Sequence, residues 1–394
     1  MAVQSVDFEQ RYGHLFEFAT QRQLDYLEAI REHGTQAAAA EHLGVSKQSL
    51  EEALQRLRKK AAMRGMSPQH DMHKMVPEGY IVKGVSTYYD EEGKARGQWV
   101  KSSLDEQKKR EALQEAFAAM AEELPRLKAS KPAKGCMQDL LSLYTLTDCH
   151  VGALAWSKEN LQADWDLKIA EETLTKAFEH MVASSQPAAT CVVNQLGDFL
   201  HSDGILPVTP TSGHILDQDG RFAKVVATAV RILRRIVDFA LQKHEKVIVL
   251  LAEGNHDITS SIWLRVMFKA LYENEPRVEV IDSMLPYYIY AHGETMLAFH
   301  HGHLKKNDAL PLLFASQFPQ VWGQTTKRYV HVGHRHHHVE IEHSGMKVIQ
   351  HSTLAARDAY AARGGWLSER QVVAISYSKA HGEVGRHTIT PEML

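Results

Sequence analysis

Residues 246–257 read KVIVLLAEGNHD, and this stretch decides the fold. Its apolar run has the length of a strand and no polar alternation, which is typical of a strand buried on both faces of a sheet. A glycine and three polar residues follow directly. The glycine permits a sharp exit that turns the next side chains into a cleft. The stretch therefore predicts an α/β fold in which polar loops follow buried strands.

The same pattern, a β-rich run followed by a polar cluster, recurs from residue 138 onward. Helical stretches, such as 166–184 and 221–244, separate several of the runs. Because sites in α/β sheets assemble at the carboxyl ends of strands, we expect the clusters to meet in one cleft. The clusters are DCH at 148–150, GDFLH at 197–201, GNHD at 254–257, HHGH at 300–303 and GHRH at 333–336.

The residue types in these clusters suit a pair of divalent cations. The chain holds 24 histidines, and imidazole is a common metal ligand. Two neighbouring cations need mixed oxygen and nitrogen ligands and one carboxylate that bridges them. Alternation along D-x-H sends Asp148 and His150 to the same side. Asp198 suits the bridge because it stands at a strand exit, and Asn255 supplies a neutral oxygen.

The ordered set D-x-H, G-D-x-x-H, G-N-H-D, H-G-H and G-H-x-H resembles the calcineurin-like metallophosphoesterase superfamily. The resemblance covers residues 140–355. It implies a four-layer α/β/β/α sandwich and metal-dependent hydrolysis of phosphate esters. It also implies two sets of ligands that share one carboxylate. The first ion is expected on Asp148, His150, Asp198 and His336, and the second on Asp198, Asn255, His301 and His334.

Two further histidines are expected to take part in the chemistry. The resemblance implies that His256 acts directly on the substrate phosphate and that His201 supports it. Many phosphatases of the superfamily carry aspartate at the position of His201, whereas G-D-x-x-H is similar to the motif of SbcD-type DNA-repair exonucleases. This departure favours cleavage of nucleic-acid phosphodiesters. In HHGH the residue before glycine, His301, is the expected ligand, and His300 and His303 stay open as alternatives.

Cysteine usage bears on the metal and on the compartment. The three cysteines, at 136, 149 and 191, form no C-x-x-C pair, so neither a thiolate zinc site nor a disulfide framework is expected. Histidine, carboxylate and amide ligands favour two Mn²⁺ ions, with iron or zinc as alternatives. The first residues lack a signal-peptide pattern, and no apolar stretch approaches about 18 residues. We expect a cytoplasmic protein that does not contact membranes.

The N-terminal sequence predicts three helices over residues 20–64. The stretch GTQAAAAEHLGVSKQSLEEALQRL at 34–57 resembles a helix-turn-helix DNA-binding unit, with small alanines where two helices cross and Gly44 in the turn. Because the net charge is −3, DNA must be bound by a local surface rather than by bulk charge. A plain three-helix bundle that contacts a protein is the alternative. The residues expected to contact DNA are Lys47, Gln48, Arg56 and Arg58.

These patterns predict a helix-turn-helix domain at 1–75, a hairpin and connecting helix at 76–137, and a calcineurin-like metallophosphoesterase domain at 138–394. The hairpin is expected over 80–102 and the helix over 104–124. The sequence thus indicates a two-metal phosphoesterase that cleaves DNA, a nuclease targeted by its N-terminal module. Two alternatives stay open: a phosphatase or nucleotide phosphodiesterase whose N-terminal module binds a protein, and a DNA-bound regulator. Assembly into a homo-oligomer is also left open.

Overall fold

The structure is a computed structural model that describes residues 8–76, 80–90, 95–104 and 135–394. It divides into two compact units, Met1–Glu111 and Ala112–Leu394. The helix expected over 104–124 lies outside the described residues, apart from its first position. Across the described ranges, no helix combines the length and the apolar character needed to cross a membrane.

Helices open the first unit. A 3₁₀ helix at Gly13–Phe18 precedes α1 (Gln21–His33), α2 (Gln36–His42) and α3 (Lys47–Met63), which lie within the range predicted from the sequence. Ser46 begins α3, and its hydroxyl accepts the backbone N–H of Ser49 at 3.1 Å. The helices enclose a small apolar core. Its members include Leu27, Ile30, Ala39, Leu50, Leu54 and Leu57.

Short strands complete the first unit. The two-residue strands β1 (Met66–Ser67) and β2 (Met72–His73) pair with each other, and β3 (Tyr80–Tyr89) pairs with β4 (Ala95–Leu104) as an antiparallel hairpin. The hydroxyl of Tyr89 donates a hydrogen bond to the carboxylate of Asp71 at 2.8 Å, which ties the hairpin to the turn before β2. The hairpin therefore lies where the sequence predicts one.

Two sheets form the centre of the second unit. The strands of the larger sheet are β5 (Met137–Leu146), β6 (Ala188–Gln195), β7 (Lys246–Leu251), β8 (Val278–Val280), β14 (Val372–Ser378) and β15 (Gly382–Ile389). Their order is β15-β14-β5-β6-β7-β8, with β5 to β8 parallel. The strands of the smaller sheet are β9 (Tyr288–His292), β10 (Thr295–Phe299), β11 (Lys327–Val332), β12 (Val339–His343) and β13 (Met346–Gln350). Their order is β12-β13-β11-β10-β9, with β10, β11 and β13 parallel.

Helices cover the outer faces of both sheets. The helices described in this unit are α4 (Ser157–Asn160), α5 (Leu167–Ser184), α6 (Phe222–Lys243), α7 (Ile258–Leu271), α8 (Leu310–Gln317), α9 (Pro319–Gln324) and α10 (Ala359–Arg363). Phe178 of α5 and Leu233 of α6 pack in one cluster with Tyr144 of the larger sheet. On the other side, Phe314 of α8 packs with Val330 of the smaller sheet.

A third apolar cluster lies between the two sheets. In the larger sheet, Val192 is paired with Leu143 on one side and with Ile248 on the other, which gives a continuous apolar row across three strands. This row packs with Leu297 and Phe299 of β10. The order of layers is therefore helix, sheet, sheet, helix, and the predicted four-layer α/β/β/α class is confirmed. Because the central strands are covered on both faces, they are mostly apolar.

The topology brings the polar clusters to one edge. The loops after β5, β6 and β7 leave adjacent parallel strands, and the loops after β10 and β11 leave adjacent parallel strands of the second sheet. Each loop begins at the carboxyl end of its strand, where parallel sheets assemble their sites. The five clusters are therefore neighbours in space, although Asp148 in the first and His334 in the last are 186 residues apart in sequence.

Candidate metal centre

The backbone is strained at the candidate metal ligands. Of the seven described non-glycine residues with positive φ, five belong to the clusters at the strand ends. Side chains other than glycine avoid this left-handed region, and such strain concentrates at functional sites, where the surrounding structure enforces it. The five residues are Asp148 (φ 50°), His150 (44°), Asp198 (49°), His334 (70°) and His336 (56°).

Glycines allow the loops to approach one another closely. A Cβ added to Gly197 would lie 2.5 Å from Nδ1 of His301, which is closer than van der Waals contact allows. A Cβ on Gly254 would overlap the carboxylate and the backbone nitrogen of Asp198. The glycines of G-D-x-x-H and G-N-H-D are therefore required by contact between loops, as well as by the sharp turn.

One group of possible ligands consists of Asp148, His150 and His336. Their ligand atoms all lie within 4.8 Å of one another. Nε2 of His336 is 3.1 Å from Oδ1 of Asp148 and 3.3 Å from Nε2 of His150. Three ligand atoms from two sheets thus converge on one point, as a divalent cation requires.

A second group consists of Asp198, His301 and His334, again within 4.8 Å of one another. Nε2 of His301 lies 3.1 Å from Oδ2 of Asp198 and 3.8 Å from Oδ1 of Asp148. The two groups are therefore adjacent, and the carboxylates of Asp148 and Asp198 lie on either side of one imidazole. The amide oxygen of Asn255 is buried at the same strand end.

The side chains pass a test of fit for cations. Oδ1 of Asp148, Oδ1 of Asn255 and Nε2 of His301 are buried and make no hydrogen bond of acceptable geometry, and other candidate ligand atoms lie 3.1 Å from the first and the last. Buried polar atoms nearly always have partners, so three orphaned ligand atoms in one place indicate that something else satisfies them. Carboxylate, amide and imidazole donors without thiolate suit Mn²⁺, iron or zinc. The residues present therefore fit two divalent cations.

Neighbouring groups orient the ligand atoms. Nδ1 of His301 donates to the carbonyl oxygen of Leu196 at 2.8 Å, which directs Nε2 toward the carboxylates of Asp148 and Asp198 as the nitrogen that would bind a metal. Oδ2 of Asp148 accepts the hydroxyl of Thr147 at 2.6 Å and the backbone N–H of His334 at 2.9 Å. Oδ1 of Asp148 is thereby left for a ligand role. Outer hydrogen bonds of this kind fix ligand geometry before a metal arrives.

Buried charges shift the pKa values of the site. Burial alone would lower the pKa of His301, but the carboxylates of Asp198 and Asp148 outweigh it and raise that pKa to about 10. Burial alone would raise the pKa of Asp198, but the His301 imidazole holds it well below its usual range. Burial, followed by the field of His256, lowers the pKa of His150 far below its usual range. The site therefore stabilises ionised carboxylates and a neutral His150, as metal ligation needs, whereas His301 keeps a proton that a bound cation would displace.

His256 and His201 lie beside the first group of ligands, and with His150 they form a further group whose ligand atoms lie within 4.8 Å of one another. Nδ1 of His256 donates to the backbone carbonyl of His201 at 2.8 Å. The His256 ring lies 4.7 Å from the His150 ring. The His201 ring stacks on the His256 ring, with centroids 5.6 Å apart and an interplanar angle of 24°. Nδ1 of His201 is 3.3 Å from Nδ1 of His150. His201 therefore touches the nitrogen of His150 that faces away from His336.

The structure separates the three histidines of HHGH. His301 is fully buried and belongs to the second ligand group, whereas His300 donates through Nδ1 to the carbonyl of Pro286 at 2.9 Å. The His303 ring lies 5.4 Å from the His301 ring and belongs to neither group. Among the described residues, His301 is thus the one of the three placed to ligate.

Two residues of the site were not assigned a role from the sequence. Asp257 is buried, and its carboxylate accepts the backbone N–H groups of Phe199, Leu200 and Gly254 at 2.7, 3.1 and 3.0 Å. It therefore holds G-D-x-x-H and G-N-H-D together. Burial, followed by the charge of Asp198, raises the pKa of Asp257 to about 7. The position of Asp257 at the end of the G-N-H-D motif was the sequence feature that could have indicated a role in the site.

The other such residue is Thr353, whose hydroxyl donates to the backbone carbonyl of Asp148 at 2.6 Å. It lies after β13, beyond the last motif, and fixes the strained turn at Asp148 from outside. A lone threonine in a loop carries no sequence signal for such a contact.

A cleft of about 920 Å³ opens over the metal centre. His150, Asp198, Asn255, His256 and both histidines of GHRH line its floor. The cleft continues between two loop segments, which contribute lining residues from 209–217 and from 353–370. The candidate ligands are therefore reached from solvent through a pocket large enough for a small organic group beside the phosphate.

The residues predicted to contact DNA lie on α3 in the first unit. Lys47 is paired with Glu51 at 3.5 Å and Arg56 with Glu52 at 3.4 Å. The side chain of Gln48 also contacts Glu52, at 3.3 Å. The last of the four, Arg58, lies over the ring of Tyr12 at 5.5 Å from its centroid. Lys47 and Arg56 thus lie on opposite sides of α3, each beside a glutamate, and Arg58 packs on an aromatic ring.

Comparison with known proteins gives weak similarities. No protein-family model matches the chain, and no curated protein matches it. Among solved structures, it is similar to a predicted phosphoesterase from Streptococcus pneumoniae, at 10% identity and a TM-score of 0.31, with 65% of this chain and 92% of that one covered. An archaeal phosphodiesterase gives 14% identity and a TM-score of 0.32, with 63% and 99% covered. A putative 5′-nucleotidase from Staphylococcus aureus gives 10% and 0.29, with 64% and 54% covered.

Proposed function

We propose that this protein is a two-metal phosphoesterase that hydrolyses phosphodiester bonds of DNA. The observation that supports this most strongly is the arrangement of Asp148, Asp198 and His301, in which two adjacent ligand groups meet and buried ligand atoms have no partner. Such a pair of sites suits in-line displacement at phosphorus, where charge on the attacking and leaving oxygens must be offset at once.

The ligand sets follow from the two groups. Asp148, His150 and His336 would hold one cation, and Asp198, His301 and His334 the other. We propose that the buried amide oxygen of Asn255 joins the second set and that Asp198 is shared between the two. When bound, the pair supplies Lewis-acid polarisation of the phosphoryl oxygens and a nucleophile from water at neutral pH. We propose Mn²⁺ as the metal because the donors are oxygen and imidazole nitrogen without sulfur.

His256 is proposed as the general acid. Its Nδ1–H donates to the carbonyl of His201, which fixes the orientation of the ring. Nε2 is then the nitrogen that carries the transferable proton. When the P–O bond to the leaving group breaks, this proton passes to the leaving oxygen, and the ring becomes neutral. This single proton transfer is assigned to His256 alone.

The preference for diesters rests on the cleft and on the first unit. Because the cleft continues past the metal centre, a second substituent on the phosphate has space. Lys47 and Arg56 are both exposed on α3, on different sides of the helix, and each suits a phosphate contact along DNA. We therefore propose that the first unit binds DNA and delivers it to the second.

A second candidate function has an observation in its favour. Lys47 and Arg56 are paired with Glu51 and Glu52, and a face with alternating charge also suits a protein partner. In that case the chain would be a phosphatase or nucleotide phosphodiesterase that docks on a protein through α3.

A substrate panel in Mn²⁺ tests the proposal. Plasmid, linear duplex, single-stranded DNA and RNA are compared with the mono- and bis-p-nitrophenyl esters of phosphate, using an identically purified Asp198→Ala protein to expose contaminating nucleases. We expect hydrolysis of DNA and of the diester, and little hydrolysis of the monoester. If only the monoester is hydrolysed, the proposal of DNA cleavage is wrong and the second candidate function, a phosphatase, is supported.

A further inference from the structure

The part of the cleft that faces away from the metals has an aromatic wall. Tyr360 of α10 is 69% exposed and Trp366, shortly after it, is 59% exposed. Both line the cleft whose floor holds His256 and His336. Large aromatic side chains are normally buried, as Trp165 is in this unit, so two exposed together beside a phosphate site require an explanation.

The geometry of the wall leaves ring surface open. The rings of Tyr360 and Trp366 meet edge to face, with centroids 5.4 Å apart and an interplanar angle of 63°. The His214 ring lies 6.5 Å from the Tyr360 ring and is contributed by the opposite loop of the cleft. An edge-to-face contact covers at most one face of one ring, and both side chains are more than half exposed. A flat group can therefore stack on them from within the cleft.

The wall is held in place rather than left loose. The carboxylate of Asp358 accepts the backbone N–H of Ala361 at 2.8 Å, which caps α10. The guanidinium of Arg357 donates to the backbone carbonyls of Asn160 at 2.7 Å and of Trp366 at 3.2 Å. The aromatic side chains are therefore presented by a backbone that is anchored on both sides.

One contact joins the wall directly to the metal centre. The hydroxyl of Ser368 donates to the backbone carbonyl of His336 at 2.6 Å. Ser368 also accepts, through its backbone carbonyl, the side-chain amide of Gln162 at 3.4 Å. The spacing between the aromatic rings and the ligand loop is thus set by hydrogen bonds, so the wall and the scissile phosphate have a fixed relation.

We propose that Tyr360 and Trp366 stack on the base of an unpaired nucleotide whose phosphodiester lies at the metal centre. This inference rests on the proposed function and names its substrate class. A group covalently attached to a phosphate at the candidate metal ligands can reach the wall, because both line one continuous cleft. In a nucleic acid that flat group is a base, and a base within a duplex is already stacked and cannot enter. The substrate is therefore a single-stranded or frayed end.

Arg335 supports an anionic substrate at this position. It lies between the two histidines of GHRH, is exposed and lines the same cleft. A guanidinium that lines this cleft can contact the phosphate at the candidate metal ligands or the next phosphate along the strand. The cleft thus combines flat aromatic surface with one cationic group, as sites for single strands do.

Two diesters with the same leaving group test the inference. Thymidine 5′-(p-nitrophenyl phosphate) carries a base, and methyl p-nitrophenyl phosphate does not. We expect the ratio of their kcat/KM values to fall at least about 10-fold in Tyr360→Ala/Trp366→Ala, since stacking is lost with the rings. The Tyr360→Phe/Trp366→Phe protein should keep most of the ratio. Leu312→Ala, which removes an exposed apolar side chain of α8 outside the cleft, should behave as the wild type.

A binding measurement separates this inference from the proposed function. Calorimetry compares thymidine 5′-monophosphate with deoxyribose 5-phosphate on the full chain in Mn²⁺. If the wild type hydrolyses neither ester yet binds the nucleotide more tightly, and the alanine pair removes that difference, the base site stands and the proposed activity is wrong. If the alanine pair leaves both the kinetic ratio and the binding difference intact, the base-stacking inference is overturned and phosphodiester hydrolysis is unaffected.

Discussion

The backbone N–H of His256 donates a hydrogen bond to Oδ1 of Asp198 at 2.8 Å. The carboxylate proposed to be shared by two cations therefore also fixes the loop that carries the proposed acid. The bond uses the backbone of His256 and leaves its imidazole free for the carbonyl of His201 and for substrate. Metal binding and proton transfer are thus joined through the backbone but carried by separate side chains, and they can be separated by mutation.

Replacing His256 tests this separation. His256→Ala keeps the hydrogen bond to Asp198, because the backbone N–H is unchanged, and removes only the imidazole. We expect two metal ions per chain by mass spectrometry, unchanged DNA binding, and single-turnover cleavage slowed about 10²- to 10⁴-fold. A His256→Ala protein that has lost its metals would mean that His256 is a ligand instead.

His201 is expected to tune the reaction rather than to carry it. Nδ1 of His201 lies 3.3 Å from Nδ1 of His150. His201 therefore orients a proposed metal ligand and is not itself one of the proposed ligands. Since phosphatases of the resembling superfamily carry aspartate here, His201→Asp should lose less activity than His256→Ala and should raise the monoester-to-diester ratio of kcat/KM. An unchanged ratio would remove His201 from the explanation of diester preference.

Gly254 tests how closely the loops must pack. A Cβ at this position would overlap Asp198, so Gly254→Ala should displace the shared carboxylate and lower the free energy of unfolding by about 1–3 kcal/mol. Gly204 is the matched control because a Cβ there has no atom within 4 Å. Urea unfolding and metal content are measured for both variants. Equal stability and equal metal content in the two would contradict the close approach described above.

The proposed DNA contacts are tested by salt dependence. Lys47→Ala and Arg56→Ala in the full chain should each reduce the slope of log affinity against log salt by about one unit, because each removes one phosphate contact. Lys269→Ala is matched to Lys47→Ala, since both lysines are 62% exposed and paired with a carboxylate, but Lys269 lies on α7. If all three variants keep the wild-type slope, α3 has another partner.

Much of the fold could be predicted from the sequence, for a physical reason. Strands buried on both faces are mostly apolar, so a run such as 246–252 can be recognised as a strand from the sequence. In the structure β7 occupies 246–251. The loops after these strands can also be recognised from the sequence, since polar residues and glycine directly follow the apolar runs. The histidines of HHGH were ambiguous because adjacent residues of an extended chain face opposite ways, and only packing decides that His301 faces the centre and His300 the carbonyl of Pro286.

What the sequence could not give is contact between distant loops. Thr353 reaches Asp148 across more than two hundred residues of chain, and no spacing rule announces that bond. The aromatic wall had no signal either, because Tyr360 and Trp366 belong to a short helix and a turn without periodic pattern. Their meaning depends on what lies across the cleft, which is tertiary information.

The central claim is that two divalent cations share Asp198, and a metal titration tests it most directly. Mn²⁺ is added in known equivalents to chelator-treated wild type, and hydrolysis of a phosphodiester is followed at each addition. We predict no hydrolysis without metal, saturation at two equivalents per chain, and no recovery in Asp198→Ala at any equivalence, because that variant loses the carboxylate common to both sites. Full activity without metal, saturation at one equivalent, or an active Asp198→Ala protein would contradict the account.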